Sequence, residues 1–147
     1  MERCRLLREK LGVLLWQLPP SLPYDRDLLL HFLSMLPPGY RYAIEARHDS
    51  WHRQEVLETL HEQEISWVIS ETAGRYPMTL TATTDLGYIR LHGHSSLYRG
   101  EYGRERLERL REKILSLDIS EAFIYFDNTD DGSAIKDALM FREILQP

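Results

Sequence analysis

Cysteine is nearly absent: Cys4 is the only one in 147 residues. That excludes a disulfide within the chain and a cysteine-built zinc site, and it suits a reducing, cytoplasmic setting. Long apolar runs are missing too. None approaches the roughly 20 residues of a membrane-spanning helix. Met1–Lys10 carries charges where a secretion signal has its apolar stretch, so neither a membrane protein nor a secreted one is expected. Positive charge is in short supply, with 18 Lys and Arg against 23 Asp and Glu for a net charge of −5. Such a balance offers no global attraction for nucleic acid or an anionic membrane surface. The sequence also lacks a P-loop, a dinucleotide fingerprint and a nucleophile elbow. P-loop nucleotide hydrolysis, Rossmann-type redox chemistry and serine-hydrolase chemistry are therefore without support. No repeat, low-complexity tract or linker divides the chain, and a single domain over 1–147 is expected.

What the sequence does contain is five short apolar runs that each stop on polar side chains: Leu14–Gln17, Ala43–His48, Trp67–Glu71, Tyr88–His92 and Phe123–Asn128. Helical patterns alternate with them. Asp25 can cap a helix whose Leu28, Leu29, Phe32, Leu33 and Leu36 form one apolar stripe, closed by Pro37-Pro38-Gly39. Ser50 can start a second through Leu60, and Arg104–Leu117 and Ser133–Leu145 read as two more, with a short helix over Glu2–Lys10 before the first strand. Strands separated by helices imply parallel pairing, so the reading is an α/β, TIM-type parallel barrel, here a partial one of about five strands. The exception is Thr72–Asp85, where Gly74, Pro77 and five threonines predict a long loop after a strand end, with a short strand as the alternative within it, and so a candidate lid or binding loop.

In a parallel barrel the carboxyl ends of the strands share one face, where active sites lie. Residues two apart in a strand share a side, so Glu45 points with Arg47, Tyr88 and Arg90 with His92, and Phe123 and Tyr125 with Asp127. Charges inside strands require partners, and Glu45 and Arg90 are expected to pair with each other or with a ligand. The candidate catalytic groups are His92 and Glu45, as general acid and base. His92 and His94 also stand at a spacing some metal-dependent barrel hydrolases use, and Glu45, Glu71 or Asp127 could complete a shell, so a divalent metal is one reading and no cofactor the other. After them, Ser95, Ser96, Tyr98, Arg99, Gly100, Tyr102 and Gly103 form a donor-rich loop leading to the helix near Arg104, suited to an anion. The candidate ligand contacts are Gln17, Arg47, His48, Arg90, Tyr98, Arg99, Tyr102, Asp127 and Asn128. Asp127 and Asn128 can equally build a turn into the last helix.

Taken together, Leu14-Leu15-Trp16-Gln17-Leu18-Pro19-Pro20, Glu45-Ala46-Arg47-His48 with Ser50-Trp51, Tyr88-Ile89-Arg90-Leu91-His92-Gly93, Tyr98-Arg99-Gly100 and Tyr125-Phe126-Asp127-Asn128-Thr129 resemble the YecE-like family, domain of unknown function seventy-two. The resemblance implies a TIM-type barrel with a distant likeness in fold to metal-dependent apurinic endonucleases and sugar isomerases. Two departures stand out. The family's last motif reads Gly-His-Ala and then asparagine, where this chain has Gly132-Ser133-Ala134 and then Asp137. The family pattern also begins with about three further strands that nothing here matches, so the chain resembles the C-terminal part only. Five strands would leave two unpaired edges, and a homodimer or a separately encoded N-terminal part is expected to cover them. The functional expectation is a small anionic, phosphate- or sugar-containing ligand bound at the strand carboxyl ends, with hydrolase or isomerase chemistry as its catalytic form. The alternatives are a nucleic-acid binding or endonuclease-like protein, disfavoured by the acidic charge, and a degenerate half-barrel without catalysis.

Overall fold

The structure, a computed structural model, describes residues 6–7 and 9–146. Its elements in order are β1 (Leu14–Leu18), α1 (Arg26–Ser34), β2 (Tyr42–Ala46), a 3-10 turn (Asp49–Trp51), α2 (Gln54–Glu62), β3 (Ser66–Glu71), β4 (Leu86–Leu91), α3 (Arg104–Leu115), β5 (Glu121–Phe126) and α4 (Ser133–Leu145). The strands form one parallel sheet in sequence order, β1-β2-β3-β4-β5. This is the α/β arrangement predicted from the alternating runs. The short helix expected over Glu2–Lys10 falls largely outside the described residues. No strand forms in the 72–85 loop, which is tied to β3 by Thr83: its Oγ1 donates to the Ile65 carbonyl at 2.6 Å and accepts from the Trp67 N–H at 2.8 Å.

Local signals explain the helix starts. The Asp25 carboxylate accepts the Leu28 N–H at 2.9 Å, satisfying one of the amides a helix start leaves open. The helix expected to begin at Ser50 is instead interrupted. His48 Nδ1 accepts the Ser50 N–H at 3.1 Å and turns the chain into a single 3-10 turn, and α2 begins only after an extended Arg53. The His52 ring, held between Thr79 Oγ1 at 2.8 Å and the Ala46 carbonyl at 3.3 Å, sits in that break.

Two apolar clusters fasten the helices to the outer face of the sheet. Leu29, Ile44, Trp51, Val56, Leu60 and Trp67 make one, and Ile69, Ile89, Leu91, Leu107, Ile114 and Phe141 make the other. The opposite face carries a smaller cluster of Ala43, Val68 and Tyr88 with Val13, Leu15 and Phe123. Its composition reveals curvature. In a flat sheet β1 and β5 would lie about 19 Å apart, four strand spacings. Here a Cβ on Gly12, beside β1, would stand 3.1 Å from the Phe123 ring on β5. Arg41, at the start of β2, pairs with Glu121 of β5 and lies over the Phe123 ring. The sheet is therefore curled like a barrel wall, and side chains from well-separated strands meet across its concave side. β1 and β5 each have a single sheet neighbour among the described residues.

Candidate functional site

At the carboxyl ends of the strands the same curl gathers polar side chains. Register sets Gln17 beside Glu45, and Arg90 between Ser70 and Tyr125. Glu45, only 1% exposed, is the hub. Its Oε2 accepts Arg90 Nη1 at 2.6 Å, and its Oε1 accepts Arg47 Nε at 3.2 Å and the Ser70 hydroxyl at 3.1 Å. Arg90 also reaches Gln17 Oε1 at 3.3 Å through Nη1, and Asp127 Oδ2 at 3.0 Å through Nε and 2.9 Å through Nη2. The guanidinium of Arg90 thus ties β1, β2, β4 and the end of β5 together. The expectation that Glu45 and Arg90 answer each other's charge is met by their direct contact.

His92 lies inside this group and is also 1% exposed. Its Nε2 faces Glu45 Oε1 at 3.9 Å and its Nδ1 faces Asp127 Oδ2 at 3.6 Å, both beyond hydrogen-bond reach, so neither ring nitrogen has a hydrogen-bond partner among the described residues. Burial first, and the neighbouring Arg90 charge second, hold its pKa below the ordinary histidine range against the pull of Asp127 and Glu45. The ring is therefore a neutral imidazole, able to give a proton from one nitrogen and take one at the other. The Tyr98 ring packs edge-on against it at 5.6 Å.

Arg47 is held differently from Arg90. Its one carboxylate contact is through Nε, on Glu45, and its guanidinium lies 5.0 Å over the Tyr76 ring. Among the described residues its terminal nitrogens pair with no carboxylate, on a side chain 14% exposed. Sequence reasoning missed Ser70 and Tyr76. The two-residue period along β3 placed Ser70 on the concave side, but its bond to Glu45 spans 25 positions and depends on the curl.

The remaining candidates have other work. His48 Nδ1 meets the Ser50 hydroxyl and amide at 2.8 and 3.1 Å, holding the 3-10 turn. Tyr102 is buried. Its hydroxyl accepts the Gly93 N–H at 3.0 Å, and burial, followed by the nearby Glu71 carboxylate, pushes its phenol far above the ordinary range. Arg99, a candidate ligand contact, pairs with Asp130 at 3.2 Å on the surface. Asn128 is fully buried and donates from Nδ2 to the Gly100 carbonyl and to Asp137, each at 2.8 Å.

Asp137 also changes the reading of the 93–103 loop. That loop and the start of α3 were expected to offer amides to a phosphate. The buried carboxylate of Asp137 occupies them, accepting the Tyr102 N–H at 3.1 and 3.0 Å and the Gly103 N–H at 3.4 Å. The anion at this helix start is thus supplied by α4. The loop is rigid for a second reason. Gly93 has φ +120°, and a Cβ there would fall 2.1 Å from the Ser96 carbonyl oxygen, so glycine alone fits. His94, the second histidine of the metal reading, turns its ring to Tyr102 at 5.3 Å. Among the described residues, no three His, Cys, Asp or Glu side chains are grouped to hold a metal ion.

The described helices include none long and apolar enough to cross a membrane. A DUF72 family protein of Thermotoga maritima, TM1631, is similar in structure, with a TM-score of 0.85 and 28% identity over 99% of this chain. This chain covers 64% of that protein's length. A DUF72 family protein of Enterococcus faecalis, EF0366, shares the fold at a TM-score of 0.80 and 20% identity, over 89% of this chain and 57% of its own. No curated protein matches. The sequence model described as "Protein of unknown function DUF72", the YecE-like family, matches residues 1–147, and the chain belongs to that family.

Proposed function

We propose that the carboxyl ends of the strands bind a small anionic ligand containing a phosphate or sugar, with Arg47 as its guanidinium contact and His92 as the group that moves a proton. The observation that carries this reading is the contrast inside one polar cluster. Glu45, Arg90 and Asp127 are mutually satisfied, whereas both nitrogens of the buried His92 have no hydrogen-bond partner among the described residues, and Arg47 meets a carboxylate through its Nε alone. Buried polar groups in proteins are ordinarily hydrogen-bonded, and exceptions call for a role.

The two sequence candidates for acid–base work separate on this basis. Glu45 is held by two arginines and a serine and anchors them. His92 keeps free nitrogens and a neutral ring, the state a proton carrier needs near neutral pH. In its catalytic form the reading is a hydrolysis or isomerisation in which His92 takes a proton from a ligand hydroxyl, or from a water beside it, and returns it to the departing or neighbouring oxygen. The inward Arg90 stabilises the cluster and is unavailable as an anion clamp, because its donors are taken by Gln17, Glu45 and Asp127.

The test is calorimetric titration with inorganic phosphate. Saturable binding to the native chain is expected, weakened about tenfold in Arg47→Ala by loss of one charge-assisted contact. Absence of binding to the native chain at low salt, or unchanged affinity in Arg47→Ala, refutes the assignment.

A further inference from the structure

Charge counting within the site leaves a question that Arg47 and Arg90 do not answer. Two guanidiniums face two carboxylates, Glu45 and Asp127, and His92 is neutral, so the inner cluster has no net charge with which to favour an anion. An anion-selective site needs a further cation. Glu71, the other acid at this end, is engaged on the far side of the sheet with the buried Tyr102 hydroxyl and does not add to the balance.

The β3–β4 loop supplies that cation. Thr72–Arg75 is a tight turn in which Ala73 and Gly74 have φ of 52° and 75° and the Arg75 N–H donates to the Thr72 carbonyl at 3.0 Å. The turn is fixed at both ends. Thr72 is buried, its hydroxyl accepts the Tyr76 N–H at 3.0 Å and donates to the Tyr76 carbonyl at 3.2 Å, and the Ala73 N–H donates to the Gly93 carbonyl at 2.9 Å. It delivers Arg75 and Tyr76 to the edge of the site. Arg75 Nε donates to the Tyr76 hydroxyl at 3.2 Å, and the Arg75 and Arg47 guanidiniums both lie over the Tyr76 ring, at 5.6 and 5.0 Å.

Among the described residues, no carboxylate pairs with Arg75, and the two charges that pull most strongly on the Tyr76 phenol are those of Arg75 and Arg47. Tyr98, whose ring covers His92, also acts on Arg75. Arg47 and Arg75 therefore meet at Tyr76, and Tyr98 packs on His92 beside them.

We infer that Arg75, held by this turn beside Tyr76 and Arg47, is the residue that makes the site anion-selective. It receives one anionic group of the ligand, a phosphate monoester or carboxylate, between its guanidinium and that of Arg47, while the hydroxyl-bearing remainder faces His92. The inference rests on the ligand site proposed above and adds to it the charge that selects the ligand. A site of this form prefers a singly headed sugar phosphate or sugar acid to the neutral sugar, and it loses that preference with Arg75.

The experiment titrates inorganic phosphate into the native chain, Arg75→Ala, Arg75→Lys and, as a control on the exposed side of α3, Arg106→Ala, each at two ionic strengths. Arg75→Ala is expected to bind phosphate about tenfold more weakly and with a shallower salt dependence, Arg75→Lys to recover part of both, and Arg106→Ala to match the native chain. Because Arg75 is exposed, its variants should unfold at the native temperature, and a thermal melt checks this. Native affinity and salt dependence in Arg75→Ala, with Arg47→Ala impaired, overturn the role of Arg75 and leave the ligand site standing. No phosphate binding by the native chain overturns both.

Discussion

Replacing Glu45 by Gln tests the electrostatic architecture of the site without changing side-chain volume. The carboxylate is 1% exposed and accepts from Arg47, Arg90 and Ser70 at 3.2, 2.6 and 3.1 Å. Removing one member of a buried ion pair destabilises a protein by about 3–5 kcal/mol, because the abandoned charge stays in a medium of low polarity. The lower end applies here. Arg90 keeps Asp127 and Gln17, and Arg47, at 14% exposure, keeps some water and the Tyr76 ring. A loss of about 3 kcal/mol is expected. In urea, with a slope of about 2 kcal/mol per molar, the midpoint falls by about 1.5 M. The melting temperature falls by roughly 6–12 °C for a chain of this size. Circular dichroism during urea titration measures it, and a double-mutant cycle with Arg90→Gln should return a coupling of about 1 kcal/mol or more. A Glu45→Gln loss below about 0.5 kcal/mol, the range of ordinary surface changes, refutes the anchoring role.

The pH response of stability follows from His92. Its folded pKa lies below that of the unfolded chain, so protons bind preferentially to the unfolded state; the contribution is complete above about pH 6.5 and is lost as the pH falls through the folded value. His52, lowered mainly by burial, acts in the same direction. Between about pH 7 and pH 5 the native chain should therefore lose more stability than His92→Gln in matched urea titrations, and equal losses would contradict the buried neutral ring. Gly93→Ala should destabilise by more than about 2 kcal/mol through its left-handed backbone and the contact with the Ser96 carbonyl. Gly132→Ala, with φ +78° but no atom within 4 Å of the added carbon, should lose only about 1 kcal/mol, and the reverse order in urea midpoints would count against the described loop.

The five strands were legible because each is a short, largely apolar run bounded by polar residues, and the alternation with helical stripes pointed to a parallel sheet. The Asp25 cap and the side-sharing of Arg90, His92 and Asp127 were legible for the same local reasons. What sequence could not supply is the consequence of curvature. Ser70 on Glu45, Gln17 on Arg90 and Phe123 on Gly12 join positions far apart in the chain, and only the bending of the sheet brings them together. The α3 start shows a second kind of blindness. Its glycines and hydroxyls look like an anion cradle until the fold sets a carboxylate from another helix on its amides. The role of Arg75 is hidden in a third way. Thr72-Ala73-Gly74-Arg75 reads as a loop, and its value lies in which arginine has no carboxylate partner among the described residues, a fact about neighbours.

The central claim is that ligand binds at the carboxyl ends of the strands around His92. The opposite end of the sheet offers a competing place, a cavity of about 430 Å³ lined by Arg41, His61, Glu64, Thr84 and Asp85 among others. Histidine ring resonances followed by NMR during the phosphate titration separate the two. The account predicts saturable movement of the His92 ring signals, diminished in Arg47→Ala, with His61 unmoved. Saturable movement of His61 with His92 unchanged would contradict it.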